Sequence, residues 1–378
     1  MKILLGNNHL AKTGGTENYT FALALELKRQ GHKVEYFTFE KGEISSLLED
    51  NGIPFMSGNH YDLILANHNT VVEKLWTYGY LIQTCHGYIP LLEQPSPFAN
   101  AHVSISEEVR EHLLQNGYQS IVIPNGIDCN RFFPKKPVSK KLTTVLSLCQ
   151  SDTANKFIRE CCKVCGIKFL QSNKHTDNVW SIEDLINQGD LVVGLGRSAY
   201  DAMACGRCVL VYDYRDYMGE FLGDGILMPE SINKSMQCNC SGRSGRYKYD
   251  VQGFIKEMQK YTPELAAWSR EFALENLNIE KVARSYLNMV KTEQGVKDDC
   301  TALKMRLKEI LQTIQEEKSD LREEHNLCAN RMFDVQKQLM EQQTRCYEKS
   351  RKHLRAIRLL LWLCIILVIT IVFLMLKM

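Results

Sequence analysis

Two long stretches of this chain alternate short apolar runs with segments of helical period, and few architectures accept that pattern. Up to about residue 135 the runs are "KILLG", "KVEYFTF", "DLILAN", "YLIQTCH" and "HVSIS", with a helix expected over 16–30. Such alternation builds a parallel sheet covered on both faces by helices. The segment "PKKPVSKKL", 134–142, is polar, proline-bearing and basic, and reads as a linker. A second set follows: "TTVLSLC", a helix near 153–165, "IKFLQ", a helix near 181–188, "LVVGLG", a short helix and "CVLVYD". The expectation is therefore an α/β chain with two Rossmann-like, doubly wound lobes, 1–135 and 136–295. Helices near 250–260, 263–276 and 279–291 are expected to close the second lobe. The stretch 232–249, rich in Ser, Gly, Cys and Arg, reads as an exposed insertion.

A length of 378 residues leaves room for two cores. The 46 basic and 44 acidic residues are spread widely and leave a net charge of only +2, which argues against a nucleic-acid groove built on charge. Fourteen cysteines lie scattered through apolar segments of a large chain, so they read as reduced and cytosolic rather than as a disulfide framework. The clusters Cys161–Cys165 and Cys238–Cys240 each lack a second pair at zinc spacing, and no metal site is expected. The start "MKILLGNN" looks like a first strand rather than a leader, which makes the sequons at Asn18, Asn233 and Asn239 coincidental.

After Gly295 the chain turns polar and helical, free of glycine and proline. Leu303, Leu307, Ile310, Ile314 and Leu321 keep a 4-3-4-7 spacing, and Met332, Val335 and Leu339 resume it beyond Glu317. Residues 296–350 are thus expected to form a coiled-coil-like stalk able to pair with further copies of the chain. Leu359–Leu376 is uncharged and apolar, about 27 Å long as a helix at ~1.5 Å per residue. Arg351, Lys352, Arg355 and Arg358 precede it and only Lys377 follows, so the expectation is a single transmembrane tail anchor with both lobes on the cytoplasmic side.

The chemistry concentrates in a few turns. "VVGLGRSAYDAMACGRCVLVYD", 192–213, runs from a strand through a glycine-flanked turn into a very short helix. Ser198 and Asp201 form an S-x-x-D pair, which by itself reads as a capping box. Gly14 and Gly15 fall in the turn after the first strand, at the sheet edge where ligands bind in doubly wound lobes. His86 lies just past another strand at the same edge. "VSISEEVREHL" places a serine-capped helix before "IPNGIDCNRF", whose Asn125 and Gly126 suit a turn.

In this order "GGTE", "CHG", "VSISEEVRE", "IPNGID" and "GRSAYDAMACGRCVLVYD" resemble a family 4 glycosyltransferase over roughly residues 1–290. That resemblance implies a retaining enzyme of GT-B fold, with two lobes facing a cleft. The second lobe would bind a UDP- or GDP-linked sugar as donor substrate, and the first an acceptor. No cofactor is implied, and the absence of a D-x-D sequence fits a metal-independent reaction.

The family's E-x7-E motif puts its second acid at Asp201, which would bind the ribose, and its first at Val193, where no acid stands. Its arginine and lysine fall on Gln150 and Lys156. Gly194, Gly196 and Ser198 would let backbone and helix N-terminus meet the diphosphate. Gly15 and His86 would lie near the acceptor and the reacting carbon. Arg197 is expected to replace the missing arginine. The anchor adds the expectation of a membrane-associated glycan or lipid-linked acceptor. Two alternatives remain open: a catalytically inactive membrane adaptor, favoured by Val193 and Gln150, and a nucleotide-sugar epimerase.

Overall fold

The computed structural model describes residues 1–172, 181–215, 219–293 and 301–375, the side chains of 291–293, 301–309, 311, 364 and 366–375 excepted. It comprises two compact units, Met1–Lys297 and Asp298–Met378. The first unit begins with β1 (Lys2–His9), α1 (Gly15–Arg29), β2 (Lys33–Glu40), α2 (Glu43–Asp50), β3 (Tyr61–Ala66), α3 (Asn69–Leu75), β4 (Gly79–Cys85), β5 (Ala101–Ser104), α4 (Glu107–Gln115) and β6 (Ile121–Val122). These strands form one parallel sheet in the order β2-β1-β3-β4-β5-β6. Helix α4 starts as its sequence predicts, with the Ser106 hydroxyl accepting the Val109 N–H at 3.4 Å.

The unit continues with β7 (Thr144–Ser147), α5 (Asp152–Cys165), β8 (Lys168–Gln171), α6 (Ile182–Ile186), β9 (Leu191–Gly194), α7 (Arg197–Ala204), β10 (Cys208–Arg215), β11 (Glu220–Ile226), α8 (Ile232–Gln237), α9 (Val251–Met258), α10 (Pro263–Asn276) and α11 (Ile279–Glu293). Here the order is β11-β10-β9-β7-β8, parallel except for the antiparallel edge pair β10–β11. Strand β11 escapes the sequence reading because "EFLGDGI" carries two glycines and little β-branched content. The two Rossmann-like sheets expected from the alternation are present. Gly295 and residues 296–300, where the second lobe was expected to give way to the stalk, lie outside the described residues.

Helix α11 does not close the second lobe as expected. Its Ile279, Val282, Ala283 and Met289 pack with Ile3, Leu5, Leu23 and Leu27 in the core of the first sheet. The chain returns beside its own outward crossing, where the Ile127 N–H donates to the Leu277 carbonyl at 2.7 Å and Ile279 donates back at 2.9 Å. The apolar stripe of α11 suits either lobe, so only the path of the chain chooses between them. Tyr286 then reaches the ligand edge: its hydroxyl lies 2.9 Å from the Tyr19 hydroxyl and 2.8 Å from the Thr84 hydroxyl, all of them buried. Tyr286→Phe leaves these two hydroxyls without their shared partner. It is expected to cost about 1–3 kcal/mol, read as a lower urea midpoint at unchanged slope; an unchanged midpoint would show the bridge to be idle.

Residues 232–249 are not an exposed insertion either. Asp224 at the end of β11 gathers them, accepting from the Gly245 N–H at 2.7 Å, the Gly242 N–H at 3.3 Å and the Ser235 hydroxyl. The Cys240 carbonyl accepts the Gly196 N–H at 2.9 Å. Arg243 crosses to the first lobe, its Nε 2.8 Å from Glu108 Oε1 and its guanidinium 5.3 Å from the centre of the Tyr88 ring. Polar composition read as loop, and a buried carboxylate drew that loop into the wall between the lobes.

The second unit is a single helix, α12 (Thr301–Met375). Ile310, Ile314, Leu321, Met332, Val335 and Leu339 are exposed along it. Among the described residues no helix is long and apolar enough to cross a membrane. This overturns the expected transmembrane anchor at 359–376, and the single-pass placement with cytoplasmic lobes falls with it. Leu359–Met375 continues the helix that carries the polar, charged stretch before it, and Leu376 lies outside the described residues.

Candidate functional site

In each sheet the strand order reverses once, between β1 and β3 in the first and between β7 and β9 in the second. Connections leave in opposite directions at such a point and open a crevice beyond the carboxyl ends of the strands. Both crevices contribute to one cavity of about 230 Å3. The first lobe lines it with Thr13, Gly14, Gly15 and Asn18; Leu148 and Gln150 follow β7, and Arg197, Ser198 and Asp201 follow β9. Gly15 has open space where a side chain would stand.

The capping-box reading of Ser198 and Asp201 does not survive. The N-cap of α7 is Gly196, in the left-handed region at φ 54°, with no side-chain cap. Asp201 lies one turn inside the helix, 7% exposed, with Oδ1 enclosed and without a hydrogen-bond partner. Arg197 Nε lies 3.7 Å from that oxygen, also unbonded, while its guanidinium donates to the Gly126 carbonyl at 3.4 Å. Burial pushes the Asp201 carboxyl up to about 6, against the pull of Arg197 and Arg131. The N–H groups of Gly196, Ser198 and Ala199 all have protein acceptors, so the Arg197 guanidinium supplies the positive charge at this edge.

Other sequence candidates fall outside this arrangement. Val193 and Gly194 are buried within β9, and a Cβ on Gly194 would press on Ser198. Lys156 is exposed on α5 and does not line the cavity. Gln150 does line it, with its Nε2 donating to the Leu148 carbonyl at 2.9 Å. Sequence reading missed Arg131, which lines the cavity and pairs with Glu183 at 3.1 Å. Its only signal is its place six residues beyond Asn125 in "IPNGIDCNRF".

On the first lobe, His86 Nε2 meets Asn67 Oδ1 at 3.1 Å, and its ring stands edge-on to Tyr19 at 5.1 Å. Because Asn67 donates its amide to the Thr20 hydroxyl at 2.7 Å, its oxygen faces the imidazole as acceptor. Burial pushes His86 down to about 3, with His68 adding to the effect, Asn125 opposing it and Arg197 lowering it further. The charge of Arg197 therefore acts on both Asp201 and His86, residues that the sequence separates by more than a hundred positions.

His86 is the last of a row at the carboxyl edges of β1, β3 and β4. His68 accepts the Asn8 N–H on Nδ1 at 3.2 Å, and burial followed by His9 pushes it down to about 4. The His9 and His68 rings are 6.0 Å apart. His9 Nδ1 lies 2.7 Å from Glu17 Oε1. Glu93 stands near Glu17, and burial followed by that neighbour raises its carboxyl to about 7. None of His9, Glu17, His68 or Glu93 was singled out from sequence; His9 and Glu17 meet within one strand-turn-helix segment, whereas His68 and Glu93 reach their neighbours only through the strand order.

No family model matches the sequence, and no curated protein matches it. Among solved structures, the Anabaena protein HepE in complex with UDP and glucose is 16% identical, covering 77% of this chain and 99% of that one, with a TM-score of 0.53. AviGT4, a glycosyltransferase involved in avilamycin A biosynthesis, is 14% identical over 77% of this chain and 97% of its own, with a TM-score of 0.51. At such identities the likeness is one of fold, and it places this chain among proteins of GT-B-like architecture, two Rossmann-like sheets meeting at a cleft.

Proposed function

We propose that this protein is a glycosyltransferase moving a sugar from a UDP- or GDP-linked donor to a hydroxyl of an acceptor glycan. The observation that carries the reading is the Asp201 carboxylate, buried at the second switch point with one oxygen unpaired and an arginine beside it. A buried acceptor without a donor is costly unless something brings donors to it, and the two hydroxyls of a ribose do so. Arg197 then stands one helical turn away, where the diphosphate of the same nucleotide carries its charge. As the sugar bond breaks, charge builds on the leaving oxygen, and a fixed guanidinium in an enclosed cavity stabilises it without reorganisation. The structure of HepE with UDP and glucose supports a nucleotide sugar as the ligand class for this fold.

Calorimetric titration of the full chain with UDP and GDP tests the reading. Saturable binding of one of them is expected, with a dissociation constant in the range of about 1 μM to 1 mM that such substrates occupy. If UDP, GDP and their common sugar conjugates all fail to bind, the chain is not a nucleotide-sugar enzyme.

A further inference from the structure

The apolar residues that mark the expected stalk stand exposed along α12, Leu321 and Met332 most of all. Their stripe has no gap at the eleven-residue step, because Cys328 stands seven residues beyond Leu321 and four before Met332, and Cys346 follows seven beyond Leu339. Both cysteines are exposed. Seven residues from Leu321 stand Ile314 and Cys328, eleven residues away stand Ile310 and Met332, and the positions fourteen and eighteen away are again apolar in both directions. Each of these offsets lies close to a whole number of turns, so the positions share one helix face. The spacing is the same up and down the chain. Two copies could therefore stack apolar on apolar in either orientation, and spacing leaves parallel and antiparallel pairing equal.

Charge separates them. Counted around the helix from Leu321, Glu317, Asp320 and Glu324 fall on one flank of the stripe, and Lys318, Arg322 and His325 fall on the other. All six are exposed. In a parallel pair the two-fold axis runs along the stripe, so the acid flank of each helix lies against the basic flank of its partner. The complementarity is then made twice, as a two-fold contact requires. In an antiparallel pair centred on Leu321 the axis crosses the stripe, and each flank meets its own kind. Glu317 would then lie against the partner's Glu324, a like-charge contact of the sort that excludes a wrong arrangement.

We propose that α12 is an interface for a second copy of this chain, which it pairs in a parallel, in-register, two-stranded coil with acid flank against basic flank around Leu321. Leu321 of the two copies meet across the axis, and Cys328 of each copy faces Cys328 of the other. The apolar stripe supplies the buried seam and the flanks set its direction and register. The pairing does not depend on what the cavity of the first unit binds.

Sedimentation equilibrium of the full chain in mild non-ionic detergent is expected to give the mass of two chains at micromolar concentration. Oxidation of that dimer with copper phenanthroline is expected to join Cys328 to Cys328 of the partner subunit, a link found by peptide mapping and absent from Cys328→Ser. Parallel packing holds the pair within the Cα separation of up to about 7 Å that a disulfide spans. Antiparallel packing about Leu321 would part them by about 21 Å along the helices. Lys318→Glu sets acid against acid on both sides of the seam and is expected to weaken the dimer about tenfold. Adding Glu317→Lys restores opposite charges and should return the affinity to within about threefold of the unaltered chain. Both positions are exposed, so neither change disturbs a core. A monomer, or any mass other than two chains, overturns the proposal. So does a dimer that forms no Cys328 link, a Lys318→Glu variant that pairs as tightly as the unaltered chain, or a double variant left as weak as the single one.

Discussion

Arg197→Ala is expected to lower donor turnover by about 10²–10³-fold, the range found when one preorganised charge stabiliser is removed from a transition state. Three observations set the size. The side chain is only 12% exposed, so solvent screens its charge poorly. The neighbouring N–H groups of Gly196, Ser198 and Ala199 are committed to carbonyls within the protein and cannot take over. Lys156, the cation that the resemblance assigns to the diphosphate, is exposed on α5 and outside the cavity lining. The loss should fall mainly on the rate constant at saturating donor, because charge on the leaving oxygen grows toward the transition state. A surface arginine merely paired with Asp201 would behave otherwise. If steady-state turnover and nucleotide affinity are both unchanged in the variant, the guanidinium does not meet the diphosphate.

Asp201→Asn is expected to weaken nucleotide binding by about 10–150-fold at pH 7.5, the equivalent of one or more charge-assisted hydrogen bonds. The dependence on pH gives a sharper signature. The carboxyl titrates near 6 in the free protein, so only about a tenth is ionised at pH 5. Ribose hydroxyls donate to the ionised form, so the unaltered chain should bind up to about tenfold more tightly at pH 7 than at pH 5. That increment should vanish in the asparagine variant, and titration at the two pH values for both proteins would show it. An equal pH dependence in both would assign it to another group.

Stability carries the opposite sign. A carboxyl raised from 3.8 to about 6 binds more protons folded than unfolded between those values. Its ionisation therefore costs the native state stability as pH rises through that window, by roughly 3 kcal/mol. Asp201→Asn should lack that decline.

Reading of the sequence grouped the residues of the glycine turn after β9 better than those at the edge of the first sheet, and the reason is locality. Asp201, Arg197 and Ser198 belong to one strand-turn-helix segment, so their proximity follows from the spacing of residues within a few turns of chain. The same segment misled as a capping box, because S-x-x-D has the spacing of a cap whether or not its side chains turn back. Gly196, with its positive φ, took the N-cap and freed Asp201 to face the cavity. The partners of His86 and His9 are of another kind. Asn67 approaches His86, and His68 approaches His9, only after β3 is laid between β1 and β4.

Two alternating blocks of strand and helix and the position of the glycine turn at the end of β9 were determined by the sequence alone. Each depends on the period of apolar residues and on turn chemistry, which act over a few residues. Tertiary structure alone decided that α11 returns to the first lobe, that Asp224 folds residues 232–249 into the interlobe wall, and that Arg131, paired with Glu183, lines the same cavity as Arg197 and Asp201. The physical reason is that an apolar helix face or a buried carboxylate specifies that it must be covered or paired. Which partner it meets is set by strand order and by the return path of the chain, and neither is written in any local pattern.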